Sequence, residues 1–216
     1  MARHWSISKG ALGAGIGLAL VFGVALFAGT QSGGFTGLFK TPQCRASAAI
    51  GEAVAPLAVG AMQALETFDP VDVSELPFDT TRGTETTIAE LPEEVSVFNL
   101  WATWCAPCRE EMPHLAALQE ARGGQGMNVV AVSIDNNDRN RPEAFLAETN
   151  ATALAYYREP TLRLFNSLRA AGLVVGMPTT LLVGPDGCTS ASLAGAADWG
   201  SEEAIAVVDA AVTASR

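Results

Sequence analysis

Two cysteines stand three positions apart in the segment WATWCAPC, residues 101–108. Such a pair can hold a metal ion, or it can make and break a bond between its own sulfurs. A structural zinc site needs four ligands. The other cysteines, Cys44 and Cys188, are isolated in the sequence, and His4 and His114 are the sole histidines. A complete ligand set is hard to assemble from these residues, so we predict no metal site and favour a redox pair.

The redox interpretation depends on where Cys105 falls between its predicted neighbours. A buried strand is expected just before it and a helix just after it. The positive end of a helix and its free N–H groups favour the thiolate form of a cysteine. Cys108 lies one turn along, where it could resolve a mixed disulfide formed at Cys105. Pro107 fits the first helical turn, because its missing N–H costs little there.

Trp104 precedes the first cysteine of the pair. It could offer a flat apolar surface for a substrate beside the attacking sulfur. The alternative is an ordinary core aromatic residue.

The central part of the chain alternates between strand and helix patterns. Alternating strands and helices, with a final antiparallel hairpin, predict an α/β fold with a central mixed sheet flanked by helices. Strands are expected at residues 95–100, 128–134, 152–157, 179–183 and 188–193, and helices at about 106–121, from about 140 or 142, at 161–168 and at 201–214.

The N-terminal region carries a twenty-residue stretch, 10–29, without a charged residue. As a helix it would be about 30 Å long, which is the thickness of the hydrocarbon core of a bilayer. Arg3 and Lys9 precede it, and positive charge stays on the cytoplasmic side. We therefore expect a single-pass inner-membrane protein with residues 1–9 in the cytoplasm and the catalytic domain in the periplasm. A cleaved signal peptide is the alternative.

Small and polar residues follow the apolar stretch and predict a tether over 30–41. A helix packed on the domain is predicted over 42–66, starting at Thr41-Pro42 and kinked at Pro56. Residues 67–94 are expected to form loops and a short hairpin around Arg82-Gly83. The main domain is then expected to span 67–216.

Composition restricts the class of function further. The formal net charge is −10, which repels phosphate groups and makes nucleic-acid binding implausible. Apolar residues make up 49% of the chain and charged residues 17%, so most of the chain should be folded.

A family resemblance rests on three short features. These are Trp-Cys-x-Pro-Cys after a strand, Pro113 shortly after the pair, and Met177-Pro178-Thr179. Together they resemble thioredoxin over residues 70–214. The stretch NLWATWCAPCREEMP resembles the TlpA-like, membrane-anchored thiol–disulfide interchange proteins, which include exported reductants of cytochrome c maturation and of cytochrome oxidase assembly. The resemblance implies a thioredoxin-like fold and a protein-disulfide reductase without a cofactor.

The resemblance also implies roles for particular residues. Pro178 should be cis and lie against the cysteine pair, and the backbone of Met177 should pair with a substrate strand. An ordinary proline at a strand edge is the alternative for Pro178. Asn99 stands where thioredoxin has a buried aspartate. Glu111, three residues after Cys108, is the candidate replacement as proton acceptor, and a solvated surface acid is the alternative.

Two cysteines remain outside the pair. In an exported domain, leftover cysteines tend to bond with each other. We therefore hypothesise a structural disulfide between Cys44 and Cys188, with two free buried thiols as the alternative.

The function expected from these features is reduction of client-protein disulfides. The implied partners are disulfide-bearing clients, such as cytochrome c or oxidase assembly factors, and a membrane thiol-electron transporter. A periplasmic disulfide oxidase or isomerase is the alternative within the same chemistry. A copper-handling chaperone on the same fold is a further alternative, but it would space its cysteines CxxxC and use a distal histidine.

Overall fold

The computed structural model describes residues 44–136 and 140–216. In these residues, eight strands form one mixed sheet in the order β1-β8-β7-β4-β5-β6-β2-β3. This confirms the predicted α/β class. The strands are β1 (Leu65–Asp72), β2 (Pro77–Asp79), β3 (Glu85–Thr87), β4 (Val95–Trp101), β5 (Met127–Ser133), β6 (Tyr157–Arg158), β7 (Thr179–Val183) and β8 (Cys188–Ala194).

Five α-helices accompany the sheet in the described part of the chain. They are α1 (Arg45–Val54), α2 (Ala106–Arg122), α3 (Asn140–Glu148), α4 (Arg163–Ala170) and α5 (Glu202–Ala214). Three short 3₁₀ turns also occur, at Ala55–Leu57, Gly60–Met62 and Ile88–Glu90.

The centre of the sheet positions the cysteine segment. Every residue of β4 is buried, and β4 pairs with β5 in parallel and with β7 in antiparallel fashion. Leu100, near the end of β4, pairs with Thr179, the first residue of β7. The segment that leaves β4 toward Cys105 and the segment that enters β7 through Pro178 therefore lie at the same end of these two neighbouring strands.

The predicted N-terminal helix over 42–66 is too long. The α-helix ends at Val54, and Pro56 lies in the 3₁₀ turn that follows it. Gly60 has a φ of +55°, a conformation that favours glycine and interrupts the helix. Leu65 then begins a strand of the sheet, so the main domain extends further toward the N-terminus than residue 67. The proposed start at Thr41-Pro42 lies outside the described residues.

The region predicted as loops contains a strand that the pattern did not reveal. β1 runs through Asp72 and pairs with β8 at the edge of the sheet. Most of its side chains are exposed or half-buried, so the sequence lacks the alternation of a half-buried strand. The short hairpin around Arg82-Gly83 is present as β2 and β3. The strand predicted at 152–157 shrinks to β6, two residues at Tyr157–Arg158.

The predicted membrane helix at 10–29 and the tether at 30–41 lie outside the described residues. Across residues 44–136 and 140–216, no helix is both long and apolar enough to cross a bilayer.

The helix α1 is fastened to the sheet by apolar, covalent and polar contacts. Ile50 and Val54 are fully buried, and Cys44, which precedes the helix, is bonded to Cys188 at the start of β8. Ser47 Oγ lies 2.6 Å from Asp186 Oδ1 and 2.7 Å from the Cys188 carbonyl oxygen. The hypothesised pair is thus bonded, and the bond joins the start of α1 to the terminal hairpin.

Candidate active site

The cysteine pair stands at the start of α2. Cys105 is the N-cap residue, with φ −88° and ψ 105°, and its sulfur accepts a hydrogen bond from the Cys108 N–H at 3.2 Å. The two sulfurs are bonded to each other. Cys108 is fully buried, whereas Cys105 is 5% exposed. An attacking partner from solvent would therefore reach Cys105 first, which agrees with the roles predicted for the two thiols.

The turn that leads into Cys105 is fixed by a buried carboxylate. Thr103 donates to Asp135 from its backbone N–H, at 2.8 Å, and from its hydroxyl, at 2.7 Å. Ser133, the last residue of β5, also donates to Asp135. Sequence reasoning did not identify Asp135 as part of the site. One feature of the sequence could have indicated it. Asp135 follows β5, the buried strand that lies parallel to β4, and β4 leads to the cysteines.

Apolar side chains are exposed in two segments, one next to Cys105 in the sequence and one before β7. Trp104 is 65% exposed, so the alternative of a core aromatic residue is wrong. Pro107 is exposed as well, and Val175, shortly before the Met177-Pro178-Thr179 segment, is 84% exposed. Met177 is half-buried. The role of Trp104, Pro107 and Met177 in substrate binding stays a prediction.

The peptide bond between Met177 and Pro178 is cis. Pro178 is buried and leads into β7, which lies between β8 and β4 inside the sheet. The alternative of a proline at a strand edge is therefore wrong. The Pro178 carbonyl accepts from the Gly195 N–H at 2.9 Å, so the loop after β8 holds its backbone in place.

Glu111 is fully buried, and the alternative of a solvated surface acid is wrong. Asn99 Nδ2 donates to its Oε2 at 2.9 Å. Trp199 Nε1 donates to its Oε1 at 2.8 Å, and the Ala197 N–H donates to the same oxygen at 3.3 Å. Glu110, the preceding residue on α2, is exposed, as predicted.

Burial raises the pKa of Glu111 to about 7, although the hydrogen bonds from Trp199, Asn99 and Ala197 act in the opposite direction. A group with this pKa can take up and release a proton at neutral pH. It lies one helical turn after Cys108, on the same side of α2. The arrangement can therefore serve proton transfer at the buried sulfur.

Sequence reasoning missed Trp199. It lies in the loop between β8 and α5 and is fully buried. It is 88 residues from Glu111 in the sequence, and the two meet only because the fold brings this loop over α2. The same loop contacts α2 a second time, where His114 Nδ1 lies 2.8 Å from Asp198 Oδ1.

Basic and aromatic groups also contact each other at Arg109, which is next to the pair in the sequence. The Arg109 guanidinium sits 4.4 Å from the centre of the Phe145 ring and 3.4 Å from a Glu148 oxygen. Phe145 stacks on Trp101, the last residue of β4. These contacts tie α3 to the start of α2.

All four cysteines of the chain are bonded in pairs. In the part of the chain that the structure describes, no three residues among its His, Cys, Asp and Glu are grouped so that they could hold a metal ion.

The chain is similar to known thiol-disulfide oxidoreductases. The Redoxin family profile matches residues 62–207. The thiol-disulfide oxidoreductase ResA of Bacillus subtilis is 27% identical over 117 residues, which are 54% of this chain and 62% of ResA. The thiol:disulfide interchange protein HelX of Rhodobacter capsulatus is 28% identical over 102 residues, or 47% of this chain and 53% of HelX. The chain thus spans 27–62% of the length of these curated relatives and a further ResA.

Solved structures support the fold. A secreted thiol-disulfide isomerase from Corynebacterium glutamicum superposes with a TM-score of 0.56 and 21% identity, covering 69% of this chain and 92% of that one. At this identity the likeness establishes the thioredoxin-like fold and nothing about the substrate.

Proposed function

Because the chain belongs to the redoxin family, we propose that it is an exported, membrane-anchored thiol–disulfide oxidoreductase that reduces disulfides in client proteins. The observation that carries the proposal is a disulfide at the N-cap of α2, followed one turn later by a buried carboxyl with a pKa of about 7. A structural disulfide has no use for such a proton acceptor.

The first step belongs to Cys105. As a thiolate in the reduced enzyme, its sulfur attacks one sulfur of the client disulfide, and the other client sulfur leaves as a thiolate. The start of α2 stabilises the negative charge before attack, through the helix dipole and the Cys108 N–H. Trp104 and Pro107 provide the apolar surface on which the client segment rests.

The second step belongs to Cys108. Its thiol passes a proton to the Glu111 carboxylate, and the resulting thiolate attacks the Cys105 sulfur. The mixed disulfide breaks, the Cys105–Cys108 bond forms, and the client leaves with both of its sulfurs reduced. Two electrons have moved from the enzyme to the client, and Glu111 releases its proton before the next turnover.

The enzyme then needs two electrons to become a dithiol again. In an exported location these come from a membrane thiol-electron transporter, which exchanges its own dithiol for the Cys105–Cys108 disulfide. The uncharged stretch 10–29 supports anchoring in the inner membrane with the catalytic domain in the periplasm. The resemblance to TlpA-like proteins favours clients in cytochrome c maturation or cytochrome oxidase assembly.

The proposal is tested by trapping mixed disulfides between Cys105 and its clients. In Cys108→Ser the resolving sulfur is missing, so mixed disulfides at Cys105 should accumulate and identify the clients by mass spectrometry. Cys105→Ser/Cys108→Ser is the matched control and should trap nothing. If Cys108→Ser captures no more than the double variant, the attacking role of Cys105 is wrong.

The reduction potential tests whether the protein works as a reductase or as an oxidase. Equilibration with glutathione should give a reduction potential near that of thioredoxin, about −270 mV. A potential near −120 mV, which is typical of strong oxidants, would replace the reductase by an oxidase.

A further inference from the structure

The contacts of Glu111 share one property: each is a hydrogen-bond donor. They are the side-chain amide of Asn99, the indole N–H of Trp199 and the backbone N–H of Ala197. An ionised carboxylate accepts hydrogen bonds only, so this set fits it well. A protonated carboxyl carries an O–H that needs an acceptor, and neither the indole nor the backbone N–H can become one.

Asn99 is the exception, because its amide has a donor at one end and an acceptor at the other. The residue is fully buried, and its Nδ2 lies 2.9 Å from Glu111 Oε2 and 2.9 Å from Thr180 Oγ1. Its Oδ1 is buried too and has no hydrogen-bond partner in residues 44–136 and 140–216. An unsatisfied buried acceptor costs stability, so a physical reason for it is needed.

Rotation of the amide supplies that reason. The last torsion of an asparagine side chain is roughly two-fold, so half a turn exchanges Oδ1 and Nδ2. After the exchange Oδ1 faces Glu111 and accepts from its protonated carboxyl. The Thr180 hydroxyl accepts from Nδ2 in the first position and donates to Oδ1 in the second, since a hydroxyl can do both.

We propose that the Asn99 side chain is a two-position switch that donates to ionised Glu111 and, after half a turn, accepts from protonated Glu111. Each position leaves one end of the amide without a partner: Oδ1 in the first, Nδ2 in the second. Neither protonation state is therefore strongly preferred over the other. A fixed donor, by contrast, would favour the carboxylate alone.

The consequence for turnover rests on the proposed function. When Cys108 passes its proton to Glu111, Asn99 turns to hold that proton, and it turns back when the proton leaves. Electrons are not moved by this step. Asn99 is thus a positioning residue that acts through Glu111. Strands β4 and β7 carry no ionisable side chain. Besides Cys108, α2 carries three groups that are paired, namely Arg109 with Glu148, His114 with Asp198 and Arg122 with Asp209, and two exposed acids, Glu110 and Glu120.

Nuclear magnetic resonance on the full-length chain in mild detergent tests the switch, with ¹⁵N-labelled asparagine and ¹³C-labelled glutamate in the oxidised protein. As the pH falls, the Glu111 carboxyl signal should titrate. The Asn99 amide signals should shift with the same midpoint, and the Nδ2 protons should lose their proximity to Thr180. In Glu111→Gln the Asn99 signals should not change with pH.

Asn128 offers a matched control within the same chain. Its Nδ2 also donates to a glutamate, Glu94, but its Oδ1 is occupied by Gln119 Nε2 at 3.2 Å. With both ends of the amide satisfied, Asn128 should keep its contacts across the titration.

Two results would overturn the inference: Glu111 titrates while the Nδ2 protons of Asn99 stay close to Thr180, or Glu111 does not titrate in the range in which the protein stays folded. Insulin reduction by the same sample separates the two proposals. Disulfide reduction with a static amide refutes the switch alone, whereas a moving amide without disulfide reduction refutes the proposed function alone.

Discussion

The two disulfides of this chain have the same chemistry but different positions in the fold. Cys105 and Cys108 are separated by 3 residues at the start of α2, whereas Cys44 and Cys188 are separated by 144 and join the start of α1 to β8. Closing so long a loop stabilises the folded state by about 5 kcal/mol in the chain-entropy model. In the same model the short loop contributes about 2 kcal/mol, so opening it costs the fold less than half as much.

The surroundings of the two disulfides differ as well, in burial and in the groups nearby. Cys188 is fully buried, and its neighbours Ser47 and Asp186 hold each other in a closed set of hydrogen bonds. The Cys105–Cys108 bond has the exposed Trp104 on one side and Glu111, with its raised pKa, one turn further along. The pair with the proposed redox role thus differs from the structural pair by a nearby proton acceptor and an accessible surface, and not by its cysteines alone.

Removal of the attacking sulfur should have the largest effect. Cys105→Ser should lower the rate of insulin reduction by on the order of a thousandfold or more, because no other group in the pair can replace a nucleophile at this position. Its urea-denaturation midpoint should fall less than that of Cys44→Ala/Cys188→Ala. A variant that keeps its activity, or one that loses its fold, would contradict the division between the two disulfides.

Removal of the Cys44–Cys188 disulfide should lower stability and leave activity largely intact. Cys44→Ala/Cys188→Ala should lower the free energy of unfolding by about 2–5 kcal/mol, since the unfolded chain regains its freedom. Urea denaturation measures this loss. Activity per folded molecule should remain within about twofold of wild type, because Glu111 and the cysteine pair keep their contacts. Equal losses of stability in Cys105→Ser would contradict this contrast.

The strong local patterns in the sequence were sufficient to predict the central elements. β4, α2, β5 and the β7–β8 hairpin follow from apolar runs, from the proline in the first helical turn and from a turn at 185–187. The edge strand β1 was missed because its ladder with β8, and not its own apolar pattern, makes it a strand. Pro56 is predicted to kink a longer helix, but the α-helix ends at Val54, two residues before it.

The site could be predicted only as far as local spacing reaches. Cys105 and Cys108, at the start of α2, were identified from their spacing, and Glu111 was identified from its place three residues after Cys108 together with the resemblance to thioredoxin. The surroundings that decide the state of Glu111 come from other elements, namely Asn99 on β4 and Trp199 on the loop after β8. The burial of Glu111 is a tertiary property, so the sequence left the solvated alternative open.

The titration of Glu111 should appear in the pH dependence of stability. Its pKa is about 7 in the folded protein and 4.5 as the ordinary value, so the folded state binds more protons between these two values. Stability should therefore fall as the pH rises from about 4.5 to 7, by about 3 kcal/mol from this group. Urea denaturation of the oxidised protein at several pH values measures the slope.

Glu111→Gln should remove this part of the slope, while Glu110→Gln, which changes an exposed acid on the same helix, should keep it. An unchanged slope in Glu111→Gln would mean that the carboxyl is ionised across the whole range. The contrast between a redox pair with a proton acceptor and a structural disulfide without one would then fail.

The smallest effect is expected at the exposed surface beside the redox pair. Trp104→Ala should lower kcat/KM for a protein disulfide by about fivefold, equivalent to about 1 kcal/mol of lost contact. Reduction of a small disulfide, such as oxidised glutathione, should change less because it covers little of the indole. Val59, 56% exposed beyond the end of α1, is the matched control, and Val59→Ala should leave both rates unchanged. Equal losses for the two substrates would show that Trp104 acts on Cys105 itself and not on the client. The accessible surface would then no longer distinguish the redox disulfide from the structural one.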